Sequence, residues 1–181
     1  ISTRIPGVIA DDDSVGTILD KVDLKFSDSE EIMIDVPWMY LGYSNENTSD
    51  YFERQYYLSG DLGKIENKNL YITGRKKDLI IRGGMNISPK QIEETILGNE
   101  GVKECAVTSV IQNNEEYILC FYVANGDMEN VTVILNKMVI ERLGKAYKVD
   151  KFIERKEIPK NLNGKIDKES LKKEYLNDSK I

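Results

Sequence analysis

The period of the apolar residues changes partway along this chain, and that change limits the folds open to it. Before Gly74 the period is two. Val22, Leu24 and Phe26 alternate with charged residues, and Ile32, Ile34 and Val36 alternate again after an acidic turn. Such spacing predicts strands with one buried face. The polar stretch Ser44–Asp50 reads as a surface loop, followed by Tyr57–Leu62 and a short strand at Leu70–Ile72. After Gly74 the pattern mixes. A basic turn, Arg75–Lys77, leads into Leu79–Ile81, which Gly83 and Gly84 end. Ser88-Pro89-Lys90-Gln91 predicts a helix start, with Ser at the N-cap, Pro at N1 and Gln at N3 of a capping box. Strands are predicted over 103–110 and 117–123, around the loop Gln112–Glu116. Val131, Ile134, Leu135, Met138, Val139 and Leu143 fall at helical spacing. A strand near Phe152, a polar loop at Lys160–Gly164 and a last helix with Leu171 and Tyr175 complete the pattern. A β-rich segment followed by a small mixed α/β domain is the expected architecture.

Composition narrows the chemistry. The 181 residues suffice for one ordinary domain or two small ones. With 40% hydrophobic and 31% charged residues, disordered and collagen-like classes are excluded. Histidine is absent, so Ser-His-Asp and Cys-His catalysis, His-ligated zinc and a histidine pH switch are impossible within these residues. A net charge of −6 argues against a protein that coats nucleic acid. Cys105 and Cys120 lie in apolar β-like runs and read as small buried hydrophobes, compatible with a reducing cytoplasm. No apolar run approaches a membrane span. Ile1 in place of Met is read as a missing natural N-terminus, which leaves targeting signals unreadable. Residues 1–140 hold 13 basic and 23 acidic side chains, whereas 141–181 hold 12 and 8. The basic end is either a solvated lysine-rich tail or a region that attends an anionic ligand.

Three segments could carry chemistry, and each also has a plain reading. Ser59-Gly60-Asp61 is either a turn between strands or a tight loop whose carboxylate grips two sugar hydroxyls. Gly74-Arg75-Lys76-Lys77-Asp78 with Gly83-Gly84 is either a basic surface hairpin or a phosphate-facing loop that lets a ligand approach the backbone. Pro159-Lys160-Asn161-Leu162-Asn163-Gly164-Lys165-Ile166 is either a mobile polar loop or one that delivers a positive charge.

In this order the segments are more specific than any one alone. From about residue 16 to 176 the chain resembles the C-terminal part of the AMP-forming adenylate-forming superfamily of acyl-CoA synthetases, nonribosomal peptide adenylation domains and luciferases. Tyr57–Leu62 looks like that family's Tyr-x-(Ser/Thr)-Gly-Asp segment. Gly74–Pro89 with Ile92-Glu93 resembles its Gly-Arg-x-x-Asp hinge and glycine loop, and Pro159–Ile166 resembles its lysine loop. The sequence departs from the pattern at Ser29-Glu30-Glu31, where Gly-Glu-Leu is usual before the strand. It departs again at Asn67-Lys68-Asn69, in place of an Asp-Gly turn, and at Asp150, in place of a common proline. These read as loop variations.

The resemblance implies an α+β chain. Residues 1–76 would be the β-rich, distorted barrel-like end of a large AMP-binding domain, and 77–181 a mobile C-terminal domain. The family's phosphate loop and acyl and adenine pockets would lie upstream, so the chain is expected to be inactive alone. ATP, Mg2+ and CoA would serve the complete enzyme, with the upstream domain, a carboxylic acid and CoA or a carrier thiol as partners, and no nucleic acid. The function implied is cytoplasmic acyl-CoA synthesis by way of acyl-AMP. The alternatives are an aryl-acid or aminoacyl enzyme that loads a carrier protein, or a non-catalytic module descended from the family. Lys165 would be catalytic, Asp61 and Arg75 would bind nucleotide, and Asp78 would be the hinge. Gly83, Gly84 and Met85 would line a pantetheine channel. Arg82 would either contact CoA phosphates or be solvated. No metal-ligating residue is expected.

Overall fold

The computed structural model describes residues 2–3, 14–39, 47–112, 115–126 and 130–178. Ser44, Asn45 and Glu46 of the predicted polar loop lie outside the described residues, as do Asn113 and Asn114. The chain divides into two compact units, Ile1–Lys77 and Asp78–Ile181.

The first unit is built of strands: β1 (Ser2–Thr3), β2 (Gly16–Ile18), β3 (Asp23–Phe26), β4 (Glu31–Asp35), β5 (Phe52–Glu53), β6 (Tyr56–Glu66) and β7 (Asn69–Arg75). They form one sheet in the order β1-β2-β7-β6-β4-β3, with β5 also paired to β6. The alternation at Val22–Val36 becomes the β3–β4 hairpin, paired Leu24 to Ile34 and Phe26 to Ile32. Ile32, Met33 and Ile34 are all buried, so β4 is covered on both faces rather than on one. Asn67 and Lys68 turn the β6–β7 hairpin with φ of 49° and 67°, the left-handed pair that a two-residue hairpin loop needs.

The second unit is mixed: β8 (Ile80–Arg82), β9 (Met85–Ile87), α1 (Pro89–Leu97), β10 (Val102–Gln112), β11 (Glu115–Ala124), α2 (Val131–Leu143), β12 (Lys151–Glu154) and α3 (Lys168–Asp178). β10 pairs antiparallel with β11, which pairs in parallel with β12. That parallel pair needs a crossover, and α2 supplies it. One face of this sheet presents Cys105, Val107, Ile118, Cys120 and Tyr122 to a core shared with Ile92 and Ile96 of α1 and Leu135 and Val139 of α2. The other face presents Ala106, Val110, Leu119 and Phe121 to Ile158 and to Leu171 of α3. Two covered faces explain the unbroken apolar run Tyr117–Val123. Leu171 is fully buried, so truncating it to alanine should cost about 2–5 kcal/mol. Both cysteines are free and buried, as expected.

Two local expectations need correction. Ser88 stands at the N-cap of α1 and Pro89 at N1, but the side chain of Ser88 makes no capping bond. Gln91 accepts a hydrogen bond from the Tyr147 hydroxyl at 3.0 Å, a tertiary contact that sequence spacing does not encode. Ile134, placed in the apolar stripe of α2 by its spacing, is 40% exposed, because Leu135 and Val139 carry the burial.

Candidate functional site

Ser59-Gly60-Asp61 is not a turn. It lies inside the eleven-residue strand β6, where Gly60 takes φ 72° and kinks the backbone. Left-handed backbone favours glycine, and no atom lies near the position a Cβ would occupy, so conformation rather than space selects glycine here. The Ser59 hydroxyl accepts the Asp61 amide at 3.1 Å and holds the residue's backbone. Asp61 is the register partner of Arg75 on β7, and Arg75 Nε donates to Asp61 Oδ1 at 3.1 Å. The side chains are 35% and 51% exposed, so the pair contributes only about 0–1 kcal/mol to stability. Its interest is therefore chemical. An ionised carboxylate offers about four acceptor positions, and Arg75 takes one of them. Ser59, Gly60, Asp61, Arg75, Lys76 and Lys77 line an open cavity of about 420 Å³. A carboxylate acceptor beside three cations suits a ligand that carries both hydroxyls and phosphates.

Behind this cavity stands a residue that sequence reasoning passed over. Glu31 is 4% exposed, and its Oε2 accepts from Lys76 Nζ at 2.8 Å. Its Oε1 accepts from the Gly60 amide at 3.0 Å. Glu31 closes the segment Ser29-Glu30-Glu31, whose sequence reads as a loop variation. Glu30, beside it, takes φ 63°, a left-handed conformation that favours glycine. A carboxylate at the edge of the apolar run Ile32–Ile34 was the available signal.

The remaining predicted residues lie in the second unit. Lys76–Asp78 form a short 3-10 turn, and Asp78 is exposed. Gly83 and Gly84, at φ 57° and 79°, form the two-residue loop of the β8–β9 hairpin. Met85 opens β9 and is 50% exposed. The Arg82 side chain is 22% exposed and lines a cavity of about 490 Å³. Its guanidinium donates to the carbonyls of Lys148 at 2.6 Å, Glu116 at 3.2 Å and Ala146 at 3.4 Å, and pairs with Asp150. Asp150 also accepts from the Ile118 amide at 2.7 Å. Asp150 is thus more than a loop variation, because it anchors the arginine that precedes the glycine pair.

Lys165 lies exposed on a closed turn. Lys160 and Ile166 form an isolated bridge at its base, and Asn161 accepts the amides of Asn163 and Lys165 through Oδ1, both at 3.0 Å. The loop is tied by bonds among its own residues. No ion pair among the described residues engages the Lys165 ammonium. The structure brings Asp61 and Arg75 together in the first unit, while Asp78, Gly83, Gly84, Met85 and Lys165 belong to the second.

Residues 91–165 match the family described as AMP-binding enzyme C-terminal domain. Over 141 residues the chain is 36% identical to a long-chain-fatty-acid–CoA ligase of Bacillus subtilis, covering 75% of this chain and 25% of that protein. Among solved structures, ATP-bound MatB from Rhodopseudomonas palustris superimposes with a TM-score of 0.78 at 29% identity, over 90% of this chain and 36% of that one. The o-succinylbenzoate CoA synthetase MenE of Bacillus subtilis, in complex with its acyl-adenylate intermediate, gives a TM-score of 0.76 at 26% identity, over 88% and 35%. The chain therefore belongs to the AMP-forming adenylate-forming enzymes and carries their C-terminal domain. It spans about a quarter to a third of the length of these relatives. Among the described residues no helix is long and apolar enough to cross a membrane.

Proposed function

We propose that this chain is the C-terminal part of an ATP-dependent acid–thiol ligase, an acyl-CoA synthetase that activates a carboxylate as acyl-AMP and transfers the acyl group to CoA. The observation that carries this reading is the pairing of Asp61 with Arg75 on neighbouring strands at the rim of one cavity. Two residues from separate sequence motifs meet there in a geometry suited to a nucleotide.

In the first half-reaction the substrate carboxylate attacks the α-phosphorus of ATP and pyrophosphate leaves. Asp61 would accept hydrogen bonds from the ribose hydroxyls, with Arg75 donating beside it. The difficulty is the approach of one anion to another. Lys165 would bridge the carboxylate and the α-phosphate and offset the charge that gathers in the transition state. Among the described residues no three acidic or cysteine side chains come together as a metal site. Mg2+ would enter as the MgATP complex, and no residue here is assigned to it.

In the second half-reaction a thiolate attacks the acyl carbon and AMP leaves. Residues 77–181 would act as the mobile domain and turn about Asp78. That turn would remove Lys165 and bring in Gly83, Gly84 and Met85 to line the path of the pantetheine arm. The anchoring of Arg82 to Asp150 supports this role, since a channel wall must hold its shape while the domain moves.

The test is the full-length protein supplied with MgATP, a panel of carboxylic acids and CoA. Acid-dependent ATP–pyrophosphate exchange and CoA-dependent release of AMP are expected. The 181-residue chain alone should show neither. Release of AMP that needs a carrier-protein thiol would move the assignment to a carrier-loading enzyme. A folded full-length protein that shows no exchange with any of the acids would be a non-catalytic relative.

A further inference from the structure

We infer that Glu31 is a positioning residue for the nucleotide contacts Asp61 and Arg75. The inference rests on the proposed role of those two residues. Glu31 touches neither of them, and it holds the residue next to each. Its Oε1 takes the amide of Gly60, which precedes Asp61, and its Oε2 takes the ammonium of Lys76, which follows Arg75. Asp61 and Arg75 are register partners across β6 and β7. One carboxylate on β4 therefore links the chain on both sides of the pair.

The backbone aims it. Glu31 is paired with Leu62 on β6, and the register shifts between Glu31 and Met33. The Glu31 amide is itself fixed, donating to the Ser27 hydroxyl at 3.1 Å. Gly60, at φ 72°, has a peptide that turns more easily than that of any residue with a Cβ. Without its acceptor, that peptide can rotate and carry the Asp61 carboxylate with it. A buried carboxylate bound to one cation alone would be a stability device, and an apolar pair could replace it without loss. The second oxygen on Gly60 is what makes Glu31 part of the site.

Two double variants of the full-length protein separate these roles, assayed by acid-dependent ATP–pyrophosphate exchange at varied ATP. Glu31→Gln with Lys76→Met removes the ion pair but keeps an oxygen that can accept from Gly60. Glu31→Met with Lys76→Met removes both, and leaves no buried charge without its partner. Both lack the Lys76 cation of the cavity, so they are compared with each other: the second should show a KM for ATP about tenfold above the first, with kcat little different, the signature of lost uniform binding. Equal KM values in the two would overturn the inference and leave Glu31 a stability device. Asp61→Ala serves as the control. If it leaves KM for ATP unchanged, the nucleotide reading falls and this inference with it. If it raises KM while the two double variants share one KM, Glu31 alone is misassigned.

Discussion

Asn161 and Lys165 hold each other through the backbone. The Asn161 amide donates to the Lys165 carbonyl at 2.7 Å, and the Lys165 amide donates to Asn161 Oδ1 at 3.0 Å. The same Oδ1 takes the Asn163 amide at 3.0 Å, so one side-chain oxygen closes the turn from which the lysine projects. Asn161→Ala should leave the melting temperature almost unchanged, because the released amides are exposed to water. Acyl-AMP formation should slow about tenfold or more, since small misplacements of a catalytic group are costly. Asn161→Asp keeps the acceptor and should recover most of the rate in single-turnover measurements. Slowing that is the same in both variants would show that the oxygen does not place Lys165.

Lys165→Ala should slow acyl-AMP formation by roughly 10²–10³, the scale for losing one preorganised charge stabiliser. Thioester formation from supplied acyl-AMP should change far less, because the proposed rotation has by then withdrawn the lysine. Measuring the two half-reactions separately decides the matter. Equal damage to both would make Lys165 a structural residue.

The larger elements were legible because burial imposes period. The alternation at Val22–Val36 and the spacing of Val131–Leu143 both became the elements they predicted. What stayed hidden were contacts between residues far apart in sequence. Glu31 meets Lys76 across 45 positions and Arg82 meets Asp150 across 68, and no local pattern encodes either. Period also misleads where both faces are covered, as at Ile32–Ile34, where the carboxylate of Glu31 joins an interior that alternation assigns to apolar side chains. The motif Ser59-Gly60-Asp61 has turn composition, yet the sheet on either side keeps it in a strand and Gly60 absorbs the kink.

Asp167 gives the second unit a pH dependence with a definite sign. Its carboxyl is held below the usual value of 3.8, first by the Ser170 amide and next by the Ser170 hydroxyl, which donate at 3.0 and 2.8 Å. The carboxylate caps α3, and the Asp167 amide donates to the Pro159 carbonyl at the base of the lysine loop. A depressed pKa means that this stabilisation is present above pH 3.8 and is lost as pH falls through the lower folded value. The Ser170 amide proton resonance should therefore titrate with a midpoint below 3.8, and Asp167→Asn should abolish that titration while keeping the cap. A midpoint at or above 3.8 would show that the carboxylate does not favour the folded state.

The two compact units part between Lys77 and Asp78, within the short 3-10 turn Lys76–Asp78. A hinge must change its own φ and ψ while the structure on either side stays folded. The sheet that ends at Arg75 and the strand that begins at Ile80 leave few residues able to do so. Proline at 78 would fix φ near −65°, which a 3-10 turn accepts, and would also restrict Lys77. Asp78→Pro should therefore fold and hold one orientation, the one in which Lys165 serves adenylation. Acyl-AMP formation is expected near its normal rate, with transfer to the thiol slowed by orders of magnitude. Asp78→Ala should be mild in both steps, because Asp78 is exposed and alanine leaves the backbone free to turn. Rapid-quench measurement of each half-reaction, with a melting curve to establish folding, reads the outcome. A folded Asp78→Pro enzyme impaired equally in both steps would remove Asp78 as the hinge and leave Arg75–Asp78 a static basic turn.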